Sequence, residues 1–228
     1  MSKELSGVAR HDEVSTRGAA PDHPALEQPT GQTTNPEPAA RPLRADAQRN
    51  RDKLLRVAAE AFTDVGVDVP LEEIARRAGV GIGTFYRHFP TREALVVAVY
   101  RQQIDDLAAA ARELPLAHPP ADALREWMHA FVDYAAVKRG MVALLKSMME
   151  TDSHLFDDAR ATLYAAAGSL MTAAAEAGEI RPDVGPTEVI RAIGGICMAT
   201  DRPGSAETAV ALVDLVFDGL RYGAPART

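Results

Sequence analysis

Only one cysteine, Cys197, occurs in 228 residues. No disulfide can close within the chain and no cysteine cluster can hold a metal, which fits a reducing compartment. Aromatic residues are scarce, 5% of a chain that is 46% hydrophobic. Strands favour aromatic and β-branched residues, so a β-sandwich is a poor fit and the alanine-rich remainder suits helix packing. Long apolar runs are missing too. The longest, Ala94 to Tyr100, has seven residues, whereas a membrane-spanning helix needs ~20. The N-terminus lacks the apolar core of a signal peptide. A soluble, cytoplasmic protein with no membrane partner is the expectation. Positive charge is in deficit, with 25 Lys and Arg against 32 Asp and Glu and a net charge of −7. That excludes a uniformly basic coat for nucleic acid, but not a local patch.

Such a patch exists. Residues 41–92 hold 10 basic and 7 acidic side chains, a net of +3, while residues 1–40 and 93–228 carry −3 and −7. A small phosphate-binding module on an acidic body leaves this mark. Residues 1–44 contain six prolines and no aromatic. They cannot bury enough surface to offset ordering entropy, and the expectation is a disordered tail. Arg44, with Arg41, ends it as a basic arm that could reach DNA.

From Asp46 the pattern turns helical. Leu54, Leu55, Ala58, Phe62 and Val65 recur at three- and four-residue steps, and Gly66 suits a left-handed stop. A short helix follows from Pro70 to Ala78, ended by Gly79, and another from Ile82 to Phe89, stopped by Pro90. Thr91 reads as the N-cap of a long fourth helix. Beyond it the apolar spacing predicts five more: one carrying Trp127, Met128, Phe131 and Tyr134 and ending near Gly140, one over Val142–Met149, one from Leu155 to Ala174, one over Val189–Ile196 and one over Val210–Leu220. The expected fold is all-α with about nine helices: residues 45–92 as a DNA-binding domain of three helices, and residues 93–228 as a bundle for dimerisation and ligand binding.

The informative stretch is LEEIARRAGVGIGTFYRHFPTREAL, residues 71–95. Two short helices meet at a tight glycine turn, with aromatic and basic residues crowded on the second, as a helix-turn-helix requires. Val80, Phe85 and Phe89 fall on the inner side. Gly79-Val80, Gly83-Thr84-Phe85-Tyr86, His88-Phe89, Arg92-Glu93 and Leu95 resemble the DNA-binding signature of TetR-type transcriptional regulators at its own spacing. The resemblance covers about residues 46–100. It implies that Tyr86, His88 and Arg92 contact phosphates, and that Ile82, Gly83, Thr84 and Arg87 lie where base edges are read. An Arg at 87 can address guanine through its bidentate fork. Pro70 stands where many members carry Thr or Ser, and Gly81-Ile82 replaces a more usual polar pair. Direct readout would then rest on few side chains.

The glycine-rich Gly79-x-Gly81-x-Gly83-Thr84 is not a phosphate loop, because no strand precedes it and no Lys precedes the Thr. The six histidines show no i, i+4 pair for a metal. No nucleophile-elbow motif or catalytic carboxylate pair stands out. Neither a metal, a cofactor nor an enzymatic activity is expected. An all-helical enzyme and a DNA-binding scaffold without a ligand are the rival readings.

In the body, Trp127, Met128, Phe131, Tyr134, Met148 and Tyr164 bring adaptable apolar surface with polar ends, with His129 as a further polar anchor. Resemblance to the family favours a small-molecule effector cavity there. Ala192, Gly195, Ala199, Val213, Phe217 and Leu220 combine small residues with an apolar stripe. Two such helices from each chain would form a four-helix bundle across a two-fold axis, the way the family dimerises. Cys197 would lie in or beside that interface. The partners expected are a double-stranded DNA operator, a second copy of the chain and an effector.

Overall fold

The computed structural model describes residues 40–149, 154–200 and 205–222; side chains are described from residue 46, and from 156 after the first gap. Eight α-helices follow in order: α1 Ala40–Asp64, α2 Leu71–Ala78, α3 Ile82–His88, α4 Arg92–Glu113, α5 Pro120–Met149, α6 His154–Glu176, α7 Pro186–Ala199 and α8 Ala206–Arg221. A 3₁₀ turn, Leu114–Leu116, joins α4 to the loop before α5. The described residues contain no strand, and no helix among them is long and apolar enough to cross a membrane.

Two boundaries differ from the sequence expectation. α1 begins at Ala40, six residues before Asp46. Pro42 sits in its first turn, where no amide partner is needed, and Asp46 is not a cap but pairs with Arg49 one turn on. Residues 40–44 are therefore helical, not tail. The tail expectation for residues 1–39 lies outside the described residues, as do the side chains of Arg41 and Arg44.

The second difference is at Gly140. The spacing suggested a helix end there, yet α5 runs unbroken from Pro120 to Met149, so the expected fifth and sixth helices are one. Gly140 serves close approach instead. A β-carbon on it would fall 1.8 Å from the Phe62 carbonyl oxygen. Only glycine lets α5 cross the last turn of α1 at that distance.

The stops are where the glycines put them. Gly79 is left-handed at φ 66°, with Val80 N–H donating to Ala75 C=O at 3.0 Å. Gly178 repeats the device after α6 at φ 67°, with Glu179 N–H on Ala174 C=O at 2.9 Å. Both satisfy carbonyls that the helix end would leave bare. At the start of α4 the Thr91 hydroxyl accepts from Ala94 N–H at 3.1 Å, a cap worth about 1 kcal/mol.

The core lies where α4, α5 and α6 pack together, with α7 and α8 closing one side and α1 the other. Trp127, fully buried on α5, donates its indole N–H to the Leu107 carbonyl of α4 at 2.9 Å. No charged residue among the described ones is buried, and the core's polar groups are the ends of Trp127, Tyr100, Tyr134 and Cys197. At the rim, Asp214 of α8 accepts from Arg125 at 2.8 and 3.0 Å and pairs with His129 at 2.7 Å, both on α5.

Candidate functional site

Helix α3 is seven residues long and stands on its aromatic rings. Phe85 is fully buried and Phe89 nearly so, their centroids 6.0 Å apart, and the Arg51 guanidinium of α1 lies over Phe89. Val80 fills the turn from α2. With the inner face spent on anchoring, the outer face carries the rest. Ile82 and Tyr86 are each 42% exposed, large side chains left in water without a partner surface. Gly83 and Arg87 are exposed, and Thr84 and His88 half-buried. The structure brings Ile82, Gly83, Thr84, Tyr86, Arg87 and His88 onto one short helix. Gly81 and Gly83 have open space before them, so a backbone can approach that end closely.

Arg92 does not join this face as a free cation. Its Nη1 donates to the Val69 carbonyl at 2.7 Å and also to that of Val67. It fastens the loop between α1 and α2. Arg76 and Arg77 are likewise committed, both to Glu73 at 2.8 Å, and they hold that carboxyl down at about 2. The sequence reading missed Glu72, whose carboxylate accepts from the Tyr86 hydroxyl at 3.3 Å. A phosphate arriving at Tyr86 must replace it.

One concavity, about 830 Å³, lies between α1 and α4. Asp52, Glu60, Asp64 and Asp106 line it, a charged groove unlike the apolar clefts that hold small molecules. A second cavity, about 370 Å³, lies among α4, α5, α6 and α7, with Tyr100, Phe131, Tyr134, Phe156 and Tyr164 in its walls. A third, about 460 Å³, shares Phe131, Tyr134, Lys138 and Gly194 with it. Phe131, Tyr134 and Tyr164 thus line a cavity in the body. Trp127 and Met128 do not: both are fully buried in the core. Met148 lines a separate groove beside Arg51 and Glu93, and His129 belongs to the Asp214 cluster. The cations Lys138, Arg160 and Arg191 in this wall escaped the sequence reading. A signal was available, for Tyr134 and Lys138 are one helical turn apart, as are Arg160 and Tyr164.

Tyr134 Oη is buried and finds no hydrogen-bond partner. Burial first, then the Tyr100 phenol beside it, push its pKa up, so it stays a neutral donor. Lys138 is reachable from solvent, but protein atoms crowd its ammonium. That crowding, and then Arg160, lowers its pKa. The ammonium lies 5.9 Å from the Tyr100 ring centroid and 5.8 Å from that of Tyr134.

Of the residues expected at a subunit interface, Ala192, Gly195 and Ala199 are exposed along α7. Val213, Phe217 and Leu220 are not. They are almost wholly buried inside the protomer, because the α8 stripe is what holds α8 to α5 and α7. On α7 and α8 the large apolar side chains left outside are Met198, 80% exposed, and Leu215, 67% exposed, with Leu212 one turn before Leu215. Helix α7 passes through Gly194-Gly195 without a break, and nothing in the protomer stands before either. Cys197 is buried one turn on, its thiol pKa raised by that burial.

Residues 54–99 match the family model for bacterial regulatory proteins of the tetR family, and residues 119–222 match that for the SbtR-like transcriptional regulator C-terminal domain. Among solved structures, a TetR transcriptional regulator of Streptomyces coelicolor, SCO0520, is 45% identical with a TM-score of 0.71, covering 76% of this chain and 99% of that one. The TetR transcription regulatory protein of Mycobacterium vanbaalenii is 40% identical with a TM-score of 0.63, covering 79% and 99%. HTH-type transcriptional regulators of Staphylococcus aureus are 34% identical over 64 residues, a match spanning 28% of this chain and 35% of theirs. With its reading helix, its helical body and these relatives, the chain belongs to the TetR family of DNA-binding transcriptional regulators.

Proposed function

We propose that the protein is a homodimeric repressor that a small-molecule effector releases from a near-palindromic operator. Residues 45–92 act as the reader and residues 93–228 as the body, in the cytoplasm where the DNA is. The observation that carries this reading is α3, a helix anchored by Phe85 and Phe89 that leaves Ile82, Tyr86 and Arg87 in water. Two such helices, one per protomer, would enter successive major grooves ~34–36 Å apart. Tyr86 and His88 position the helix on phosphates, and Thr84 and Arg87 reach base edges. The open apolar line of Met198, Leu212 and Leu215, with Ala192, Gly195 and Ala199, is the surface on which protomers pair. An effector bound in the α5–α6–α7 cavity favours a dimer whose reading helices are differently spaced, and its leverage equals its differential affinity for the two states.

Selection of bound duplexes from a random library, at near-physiological salt, tests this. A two-fold symmetric site is the expected result. A folded, dimeric protein that enriches no sequence would sink the reading.

A further inference from the structure

We propose that the effector is an amphipathic organic acid, its anionic headgroup held by Lys138, Arg160 and Arg191 and its apolar body against Phe131, Ala135 and Val142. This rests on the reading of the body as an effector domain and names the chemistry of its ligand.

Four observations converge. First, among the described residues no carboxylate lines the cavity that holds the three cations, and none lines the adjoining one. The protein as a whole is acidic, with a net charge of −7. Elsewhere in the body Arg125 is paired with Asp214 and Arg181 with Asp183. Among the described residues no ion pair engages Lys138, Arg160 or Arg191. Second, the Tyr134 hydroxyl is buried in the wall common to both cavities, beside the Tyr100 phenol but without a well-formed hydrogen bond. A buried donor left unmade is costly, and native structures supply an acceptor for nearly all of them. An oxygen of a bound acid is such an acceptor. Third, the two cavities divide the ligand's chemistry. Arg160, Arg191, Tyr100 and Tyr164 line the one of about 370 Å³ alone, and Lys138 and Tyr134 line both. The one of about 460 Å³ is walled by Phe131, Ala135, Val142 and Met198, and its Arg139 already donates to the Cys197 carbonyl at 3.1 Å. Head and tail therefore have one orientation. Fourth, crowding and the Arg160 charge weaken the proton's hold on Lys138. An anion beside it relieves both, so binding and full protonation of the lysine reinforce each other.

The test is calorimetric titration of the full-length protein with octanoate, decanoate and 2-naphthoate, each against its neutral alcohol or amide. At least one acid should bind about tenfold or more tightly than its neutral partner, the scale of a charge-assisted hydrogen bond. The preference should fall to about parity in the Lys138→Gln/Arg160→Gln double variant, whose changes lie on exposed side chains and leave the core intact. Tyr134→Phe should weaken the acid several-fold without altering the fold. Acids that bind no better than their neutral partners, no binding by any of them, or a double variant that keeps the preference would each overturn the proposal. An operator gel-shift with the same compounds separates the two layers. An acid that binds but leaves the operator complex intact defeats the effector reading while the anion site stands. A neutral compound that binds this cavity in preference to its acid and releases the operator defeats the anion class while the effector reading stands.

Discussion

The backbone of Phe62 leaves no room for a side chain at Gly140. A β-carbon there would lie 1.8 Å from the Phe62 carbonyl oxygen and 2.5 Å from its carbonyl carbon. In an exposed helix Gly→Ala gains about 1 kcal/mol. Here Gly140→Ala is expected to lose about 1–3 kcal/mol, as overpacking does, and to loosen operator binding because α1 carries the reading module. Urea unfolding and an operator titration check both. A variant more stable than the parent would show that the two helices do not cross there.

Arg92 and Tyr86 separate stability from recognition. Arg92→Ala removes the clamp on the Val67 and Val69 carbonyls and should cost about 1–3 kcal/mol of unfolding free energy. Tyr86→Ala removes an exposed ring and its long hydrogen bond to Glu72 and should cost no more than about 1 kcal/mol of stability, while weakening binding to every operator alike. Arg87→Ala should instead change base preference, by about 1–3 kcal/mol at the position it reads. Unchanged melting of Arg92→Ala, with DNA affinity alone reduced, would return Arg92 to the phosphate role.

The two faces of α8 should respond oppositely. Leu215→Asp puts a charge on the open apolar line and is expected to give a folded monomer at micromolar concentration by sedimentation equilibrium. Val213→Ala opens space inside the protomer, where Val213 is fully buried, and should cost about 2 kcal/mol of stability. A dimer that survives Leu215→Asp places the subunit interface elsewhere.

Asp214 gives the fold a measurable acid limb. Arg125 first, and His129 with it, hold its carboxyl down at about 2 against an ordinary 3.8. A carboxyl with a lowered folded pKa contributes stability that is complete above its unfolded pKa and is lost as pH falls through the folded one. Asp214→Asn should therefore be less stable than the parent at neutral pH, by no more than about 1 kcal/mol for so exposed a cluster. The gap should close between pH 3.8 and about 2. A gap that widens on acidification would exclude this pairing.

Legibility from sequence followed the locality of the cause. Gly79, Thr91 and Pro90 act within one turn, so the helix-turn-helix and the entry to α4 could be read directly. Gly140 could not, because its reason lies in Phe62, far away in sequence, and a helical glycine without that knowledge reads as a stop. The Val213–Phe217–Leu220 stripe shows the same limit. Periodicity reveals that a face is apolar, not whether its own protomer or another covers it. Lys138, Arg160 and Arg191 drew no notice in the sequence because only packing sets them around one hollow, whereas Phe131, Tyr134 and Tyr164 were already suspect as aromatics with polar ends.

The absence of any buried charged residue among the described ones bears on how this body can evolve. A core of apolar side chains tolerates exchange of one shape for another, provided volume is kept. No buried ion pair has to be rebuilt when a wall moves. Helices α5, α6 and α7 are therefore free to drift toward new cavities while α3 keeps its shape. On the proposed reading, a lineage changes the signal it hears by altering a few rim residues, and leaves the sentence it reads on the chromosome untouched.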